Sequence, residues 1–153
     1  MPSSALRNAP LHRSFKAVEQ AFRQQFLLRM RQENMDLFPG AAPLILHLGD
    51  EDGLTMSELG KRCGLESSTM TPLVDELERR SLIGRARDPE DRRVIRLHLT
   101  PEGHDLEPRL RALLLDLQEV ALSRISETDI AAMHRVLESI LNNLVPLQGS
   151  SFG

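Results

Sequence analysis

The chain has 153 residues, a formal net charge of −3, a single cysteine and only 3% aromatic residues, all of them Phe. That is about one domain's length, enough to bury a core without cross-links. One cysteine excludes an internal disulfide, and the scarcity of aromatic rings argues against a base-stacking platform. The first residues lack the charged start and apolar run of a secretory signal, and the longest apolar run near a membrane-like stretch, Leu113–Leu115, is cut by Asp116. That is far short of the roughly 18 apolar residues of a membrane helix, so the chain is expected to be cytoplasmic, with no membrane partner.

Phe15, Val18, Phe22, Phe26 and Met30 recur at three- or four-residue steps, which predicts a long first helix over Leu11–Arg31. A second, buried helix is expected around Leu44–Leu48, with Pro39 or Pro43 in its first turn and Asp50–Gly53 closing it. Thr55 with Glu58 fits a capping box, Met56, Leu59 and Cys63 share one face, and Gly64 supplies a stop. A further helix is expected to start at Ser67 or Ser68, whose hydroxyl would cap it, with Met70, Leu73, Val74 and Leu77 at i, i+3, i+4, i+7. Two short helices about a Gly-containing turn are the outline of a helix-turn-helix.

After Leu82 the apolar period changes to two. Ile95, Leu97 and Leu99 alternate with Val94, Arg96 and His98, Ile83–Arg87 can pair with them, and Asp88-Pro89-Glu90-Asp91 suits a type I turn. Thr100-Pro101-Glu102 then reads as a helix start, followed by Leu106, Leu110, Leu113, Leu117 and Val120. Ser126 and Asp129 start a last helix carrying Ile130, Met133, Leu137, Ile140, Leu141 and Leu144, and the tail from Pro146 is expected to fray. Apolar surface on the terminal helices exceeds what so small a middle lobe can cover, so a two-fold dimer is expected.

Charge is concentrated in the hairpin. Arg79 to Arg96 holds seven basic residues, all arginine, and three acidic ones, a local balance of +4. Arginine suits bidentate phosphate contacts and insertion into a narrow minor groove, and a helix-turn-helix directly upstream makes a double-stranded DNA partner the favoured reading. The bland alternative is a solvated ribbon whose arginines pair with Asp88, Glu90 and Asp91.

The stretch TMSELGKRCGLESSTMTPLVDELERRSLIGRARDPEDRRVIRLHLTPEG, above all DPEDRR, a strand and LTPEG, resembles the winged helix-turn-helix of the MarR family of bacterial transcriptional regulators. The resemblance implies a mainly α fold with a small β-hairpin wing, the winged helix-turn-helix core flanked by N- and C-terminal dimerisation helices. In residues, this is a single domain over 1–153, with a DNA-binding lobe at 37–100 and dimerisation helices at 10–34 and 101–147. It implies a homodimeric repressor or activator, a repressor in the first instance, on a pseudo-palindromic operator and released by a small aromatic or amphipathic effector or by oxidation.

Carried over residue by residue, DNA contacts are expected from Ser67, Ser68, Thr69 and Thr71 at the start of the recognition helix. The family's wing motif adds Asp91 and Arg93, with Arg92 beside them, Asp91 orienting Arg93 toward the minor groove, and the charge pattern adds Arg79, Arg85 and Arg87. Pro72 departs from the family, many of whose members have a basic residue there. It resembles instead the organic-hydroperoxide sensors, yet this chain has no cysteine at the start of its first helix. Effector contacts are expected from Phe22, Phe26, Met30, Leu44 and His47. Cys63 is expected to pack as a small hydrophobe, the alternative being a thiol-based redox switch. The five scattered histidines form no metal motif; convergence of His47, Glu102 and His104 is the one arrangement that could bring ligands together. No GxSxG, P-loop, GxGxxG or CxxC occurs. No catalytic residue, metal or cofactor is therefore expected, and the second reading of the chain is a winged-helix module that docks on an acidic protein.

Overall fold

A computed structural model of the chain describes residues 10–144. Its elements in order are α1 (Leu11–Gln32), α2 (Ala41–Asp50), β1 (Leu54–Thr55), α3 (Met56–Cys63), α4 (Ser67–Arg79), β2 (Ile83–Arg87), β3 (Ile95–Leu99), α5 (Pro101–Leu122) and α6 (Glu127–Leu144). The chain divides into two compact units, residues 1–117 and 118–153, the boundary falling inside α5. The expected fraying from Pro146 lies outside the described residues. No helix among the described residues is long and apolar enough to cross a membrane.

In the first unit α2 is the centre. It is apolar nearly all round, with Ala41, Ala42, Leu44, Ile45 and Leu48 all buried, as a helix enclosed by others must be. It is longer than expected, because Gly40 in the left-handed region at φ +92° lets the chain turn into the helix directly after Pro39. Met70, Val74 and Leu77 of α4, Leu59 of α3, Ile83, Leu97 and Leu99 of the sheet and Leu110 of α5 complete one cluster.

The two short helices are set by local chemistry. The Thr55 hydroxyl accepts from the Glu58 N–H at 3.2 Å while the Glu58 carboxylate accepts from the Thr55 N–H at 2.8 Å, a complete capping box. Gly64 at φ +65° ends α3 with the Leu65 N–H on the Gly60 carbonyl, a Schellman stop. The start of α4 differs from expectation. Its cap is Glu66, in extended conformation and without a side-chain cap bond, and Ser67 is already the first helical residue. No Ser hydroxyl caps this helix: the Gly64 turn is so tight that the chain is helical one residue before a Ser cap could form.

The hairpin lies where the period of two placed it, but it is part of a three-stranded antiparallel sheet of order β1-β3-β2. The two-residue β1 pairs Leu54 with Leu97 and Thr55 with Arg96. In the β2–β3 pair, Ile83 faces Leu99, Arg85 faces Leu97 and Arg87 faces Ile95. Burial fades along that face toward the tip, Leu97 being 1% exposed but Ile95 40%. The expectation of a buried Ile95 is thus corrected: the alternation holds, but the strand has left the core by then.

Thr100 caps α5 as expected, accepting from the Gly103 N–H at 3.1 Å and donating to the Ser81 carbonyl at 2.6 Å, with Pro101 at the first helical position. Leu110 and Leu117 are buried, whereas Val120 is 58% exposed. Ser126 caps α6, accepting from the Asp129 N–H at 3.1 Å. None of the described residues of α6 is buried.

Candidate nucleic-acid interface

The start of α4 presents Ser67, Ser68, Thr69 and Thr71 to solvent while Met70, Val74 and Leu77 hold the opposite face in the core. The Thr71 hydroxyl donates to the Ser67 carbonyl at 3.0 Å, so its proton is engaged and only its oxygen is left to accept. Pro72 has no N–H for the Ser68 carbonyl, which removes one helical bond in the second turn of α4.

The seven arginines separate into two sets. Four are held by acids of the chain itself. Arg79 makes a bidentate pair with Glu76, at 2.7 and 2.6 Å. Arg80 binds the same carboxylate at 2.6 Å, donates to the Asp36 carbonyl at 2.9 Å and lies 5.3 Å over the Phe38 ring. Arg85 pairs with Asp75 and Glu78, and Arg96 with Asp88 and Glu58. The other three, Arg87, Arg92 and Arg93, stand exposed at the hairpin tip, and among the described residues none of them has a carboxylate partner. Of the pairings open to the sequence, with Asp88, Glu90 and Asp91, only Arg96–Asp88 forms.

The tip is shaped by two aspartates. Asp88 Oδ1 accepts from the Glu90 and Asp91 N–H groups at 2.8 and 3.1 Å, and Oδ2 from Arg96. The Arg96 guanidinium, with those two N–H groups, holds the Asp88 carboxyl down at about 2, from an ordinary 3.8. Asp91 Oδ1 accepts from the main-chain N–H of Arg93 at 3.0 Å. Asp91 therefore fixes the Arg93 backbone, and the guanidinium is left to solvent.

Glu76 is likewise held at about 2, from 4.5, by Arg79 and Arg80. A carboxylate with a depressed pKa in the folded state contributes stability above its ordinary value, and that contribution is lost as pH falls through the folded value. Urea midpoints should therefore be flat above about pH 5 and fall between about 4.5 and 2. Glu76→Gln should lower the plateau and flatten the upper part of that fall; a wild-type midpoint that does not move down to pH 2 would contradict both ion-pair assignments.

Other candidates fall as follows. Met30 and Leu44 are core, Phe26 packs against it, and Phe22 and His47 are half-buried. Cys63 is half-buried against the same core, and burial pushes its thiol pKa up, which lowers the thiolate fraction a redox switch needs. His98 has a partner that sequence reasoning missed: its Nδ1 is 2.9 Å from Asp52 Oδ2, while Asp52 Oδ1 accepts from the Leu99 N–H at 2.9 Å. Burial raises the Asp52 pKa, but the His98 and Leu99 hydrogen bonds outweigh it and leave it below the ordinary value. Only the β1–β3 pairing brings these residues together, 46 positions apart in sequence. Among the described residues no group of three His, Cys, Asp or Glu side chains is placed to hold a metal.

A capped helix, a tight turn, a second helix with a polar exposed start and a hairpin with a cationic tip define a winged helix-turn-helix lobe. Residues 44–95 match the model of the MarR family. Over 70 residues it is 34% identical to the HTH-type transcriptional regulator SarZ of Staphylococcus haemolyticus, a match that takes in 46% of this chain and 48% of that one. The chain spans about half the length, or less, of the first curated relatives it matches. The crystal structure of the PcaV transcriptional regulator of Streptomyces coelicolor in complex with its natural ligand is similar with a TM-score of 0.71 at 26% identity, over 93% of this chain and 98% of that one. The transcriptional repressor CouR bound to a 23-mer DNA duplex shares the fold at TM-score 0.74 and 23% identity, over 86% of this chain and 92% of that one.

Proposed function

We propose that the protein is a homodimeric, sequence-specific DNA-binding regulator of transcription, acting as a repressor on a pseudo-palindromic operator. The observation that supports this most is the partition of charge: three arginines that have no carboxylate partner among the described residues stand at the wing tip of the same lobe that exposes the Ser and Thr side chains at the start of α4. Hydroxyl groups there can reach phosphate or base edges in a major groove, while the exposed arginines meet the flanking minor groove. The names of SarZ, PcaV and CouR, one of them bound to DNA, point the same way. In this reading residues 37–100 are the DNA-binding lobe, and Ser67, Ser68, Thr69, Thr71, Arg87, Arg92 and Arg93 touch DNA while Asp91 shapes the tip.

The helices at 10–34 and 101–147 serve dimerisation in the same reading. On α1, Leu11, Phe15 and Val18 are exposed at helical spacing; on α6, Met133, Val136, Leu141 and Leu144 are. Such stripes are covered in a dimer. A two-fold dimer places two recognition helices about 10 bp apart, a spacing that a 23-mer accommodates. An effector, if bound, would meet Phe22, Phe26 and His47 first, since Met30 and Leu44 are already packed.

The test is gel mobility with DNA from upstream of the gene and with selected random sequences, in excess nonspecific competitor. Retardation that survives competitor and maps to a two-fold footprint is the expected result. No retardation up to tens of micromolar on any of these DNAs would overturn the proposal and favour a protein-docking module.

A further inference from the structure

The sequence puts Arg85 among the expected DNA contacts, yet its guanidinium is held by two carboxylates of the protein itself. Register explains why. Cross-strand partners lie on one face of a sheet, and residues two apart on a strand share a face. Arg85 is paired with Leu97, which is 1% exposed, and shares its face of β2 with Ile83, which is 2% exposed. It therefore lies on the sheet face that carries the buried Leu97 and Ile83, although Arg85 itself is exposed.

From there its guanidinium reaches α4 with both arms. Nη2 donates to Asp75 Oδ1 at 2.6 Å, and Nη1 donates to Glu78 Oε2. Asp75 and Glu78 are one turn apart, so the planar fork spans the exposed flank of the recognition helix. The Arg85 side chain is 31% exposed, less than half the 69% of Arg79. The hydrogen bond to Asp75, with the nearby carboxylate of Glu78, raises its pKa further, against a smaller effect of burial.

We propose that Arg85 is a positioning residue that clasps the wing to the recognition helix and does not itself contact phosphate. The inference rests on the DNA-binding reading for its operator-binding half only. The two DNA-reading parts of a winged helix work at one operator only if their separation matches the spacing of the grooves they enter. β2 and β3 leave the core before the tip, as Ile95 shows, so packing alone does not fix the tip's direction. A bidentate guanidinium on two acids of α4 supplies the missing constraint, and a lysine, with one point of attachment, would supply it only in part.

Two measurements test this, on full-length protein. The first needs no DNA: amide exchange across residues 83–99 should speed several-fold in Arg85→Ala at the hairpin amides, with Arg85→Lys intermediate and the α2 and α4 core amides unchanged. Unchanged hairpin exchange in Arg85→Ala would overturn the clasp whether or not the protein binds DNA. The second is a double-mutant cycle on a selected operator, read as affinity against salt. Arg85→Ala should weaken binding about tenfold with the salt slope of the wild type, and in an Arg93→Ala background it should cost much less, because the wing it would loosen no longer grips the DNA. Additive effects, with the slope falling by about 1.8 for one phosphate released by each subunit of the dimer, would show that Arg85 binds phosphate directly and would overturn the proposal. Failure of the wild type to bind DNA would sink the functional reading and leave the exchange result standing.

Discussion

Gly103→Ala should destabilise the protein by about 3 kcal/mol, more than its place on a surface-starting helix suggests. Alanine is the better helix former by ~1 kcal/mol, so propensity alone would favour the change. Packing decides the other way. A Cβ on Gly103 would lie 2.2 Å from the Leu82 carbonyl oxygen and 3.1 Å from Leu99 Cδ2. Neither neighbour is free to retreat: the Leu82 oxygen accepts from the Thr100 N–H at 3.2 Å, and Leu82 leads directly into β2. The first turn of α5 is tied at the same point, since the Gly103 N–H is bonded to the Thr100 hydroxyl and that hydroxyl to the Ser81 carbonyl. Either α5 lifts from the sheet or those bonds break. Urea unfolding monitored by circular dichroism measures the cost. Gly84→Ala is the control, because nothing lies within 4 Å of a Cβ there, and it should change stability by about 0.5 kcal/mol or less. A Gly103→Ala protein as stable as wild type would show that α5 is not seated on Leu82.

Gly103 also illustrates what a sequence can and cannot say. The LTPEG stretch reads as a helix start from Thr100, Pro101 and Glu102, all local signals, and the structure agrees. The reason for glycine after them is a contact with Leu82, on the far side of the hairpin, which no local pattern contains. The same division runs through the fold. The capping box of Thr55 and Glu58, the stop at Gly64 and the alternation through Leu97 and Leu99 are short-range chemistry and are legible in the sequence. The two-residue β1 is not, because its strand character comes only from pairing with β3, and Thr55 already has a local role as a cap. Hydroxyls favour the cap position, which makes Ser67 the natural choice from sequence, but the tight Gly64 turn places Glu66 there instead.

The charge of the wing is legible in sign and not in distribution. A window from Arg79 to Arg96 counts seven arginines against three acids, yet Asp75, Glu76 and Glu78 stand just before it. Once α4 and β2 pack together, those three acids take up Arg79, Arg80 and Arg85. What remains for a polyanion is a smaller and more sharply placed group at the tip than the window suggests.

That group sets the second large effect. Arg87, Arg92 and Arg93 have no carboxylate partners among the described residues, so replacing them with alanine breaks no ion pair within the fold, and thermal unfolding should be nearly unchanged. Operator affinity should fall by more than about 100-fold. The slope of log affinity against log salt should fall by about 5, at roughly 0.9 for each phosphate that the two subunits of the dimer no longer neutralise. Arg93→Ala alone should lower the slope by about 1.8. Asp91→Ala keeps every arginine and removes a negative charge, so nonspecific binding should strengthen, while operator binding weakens because the Arg93 N–H loses the oxygen that fixes it at 3.0 Å. Ser68→Ala separates the two modes of contact. If that hydroxyl reads a base edge, the salt slope stays and about 1–3 kcal/mol is lost at one operator position alone. Thr71→Ala should cost less than Ser68→Ala, since the Thr71 proton is already committed to the Ser67 carbonyl. Anisotropy titrations on one operator across salt concentrations distinguish these outcomes. A triple arginine variant that keeps the wild-type affinity and slope would show that the wing does not touch DNA, leaving the recognition helix as the only contact and the charge at the tip without a role in binding.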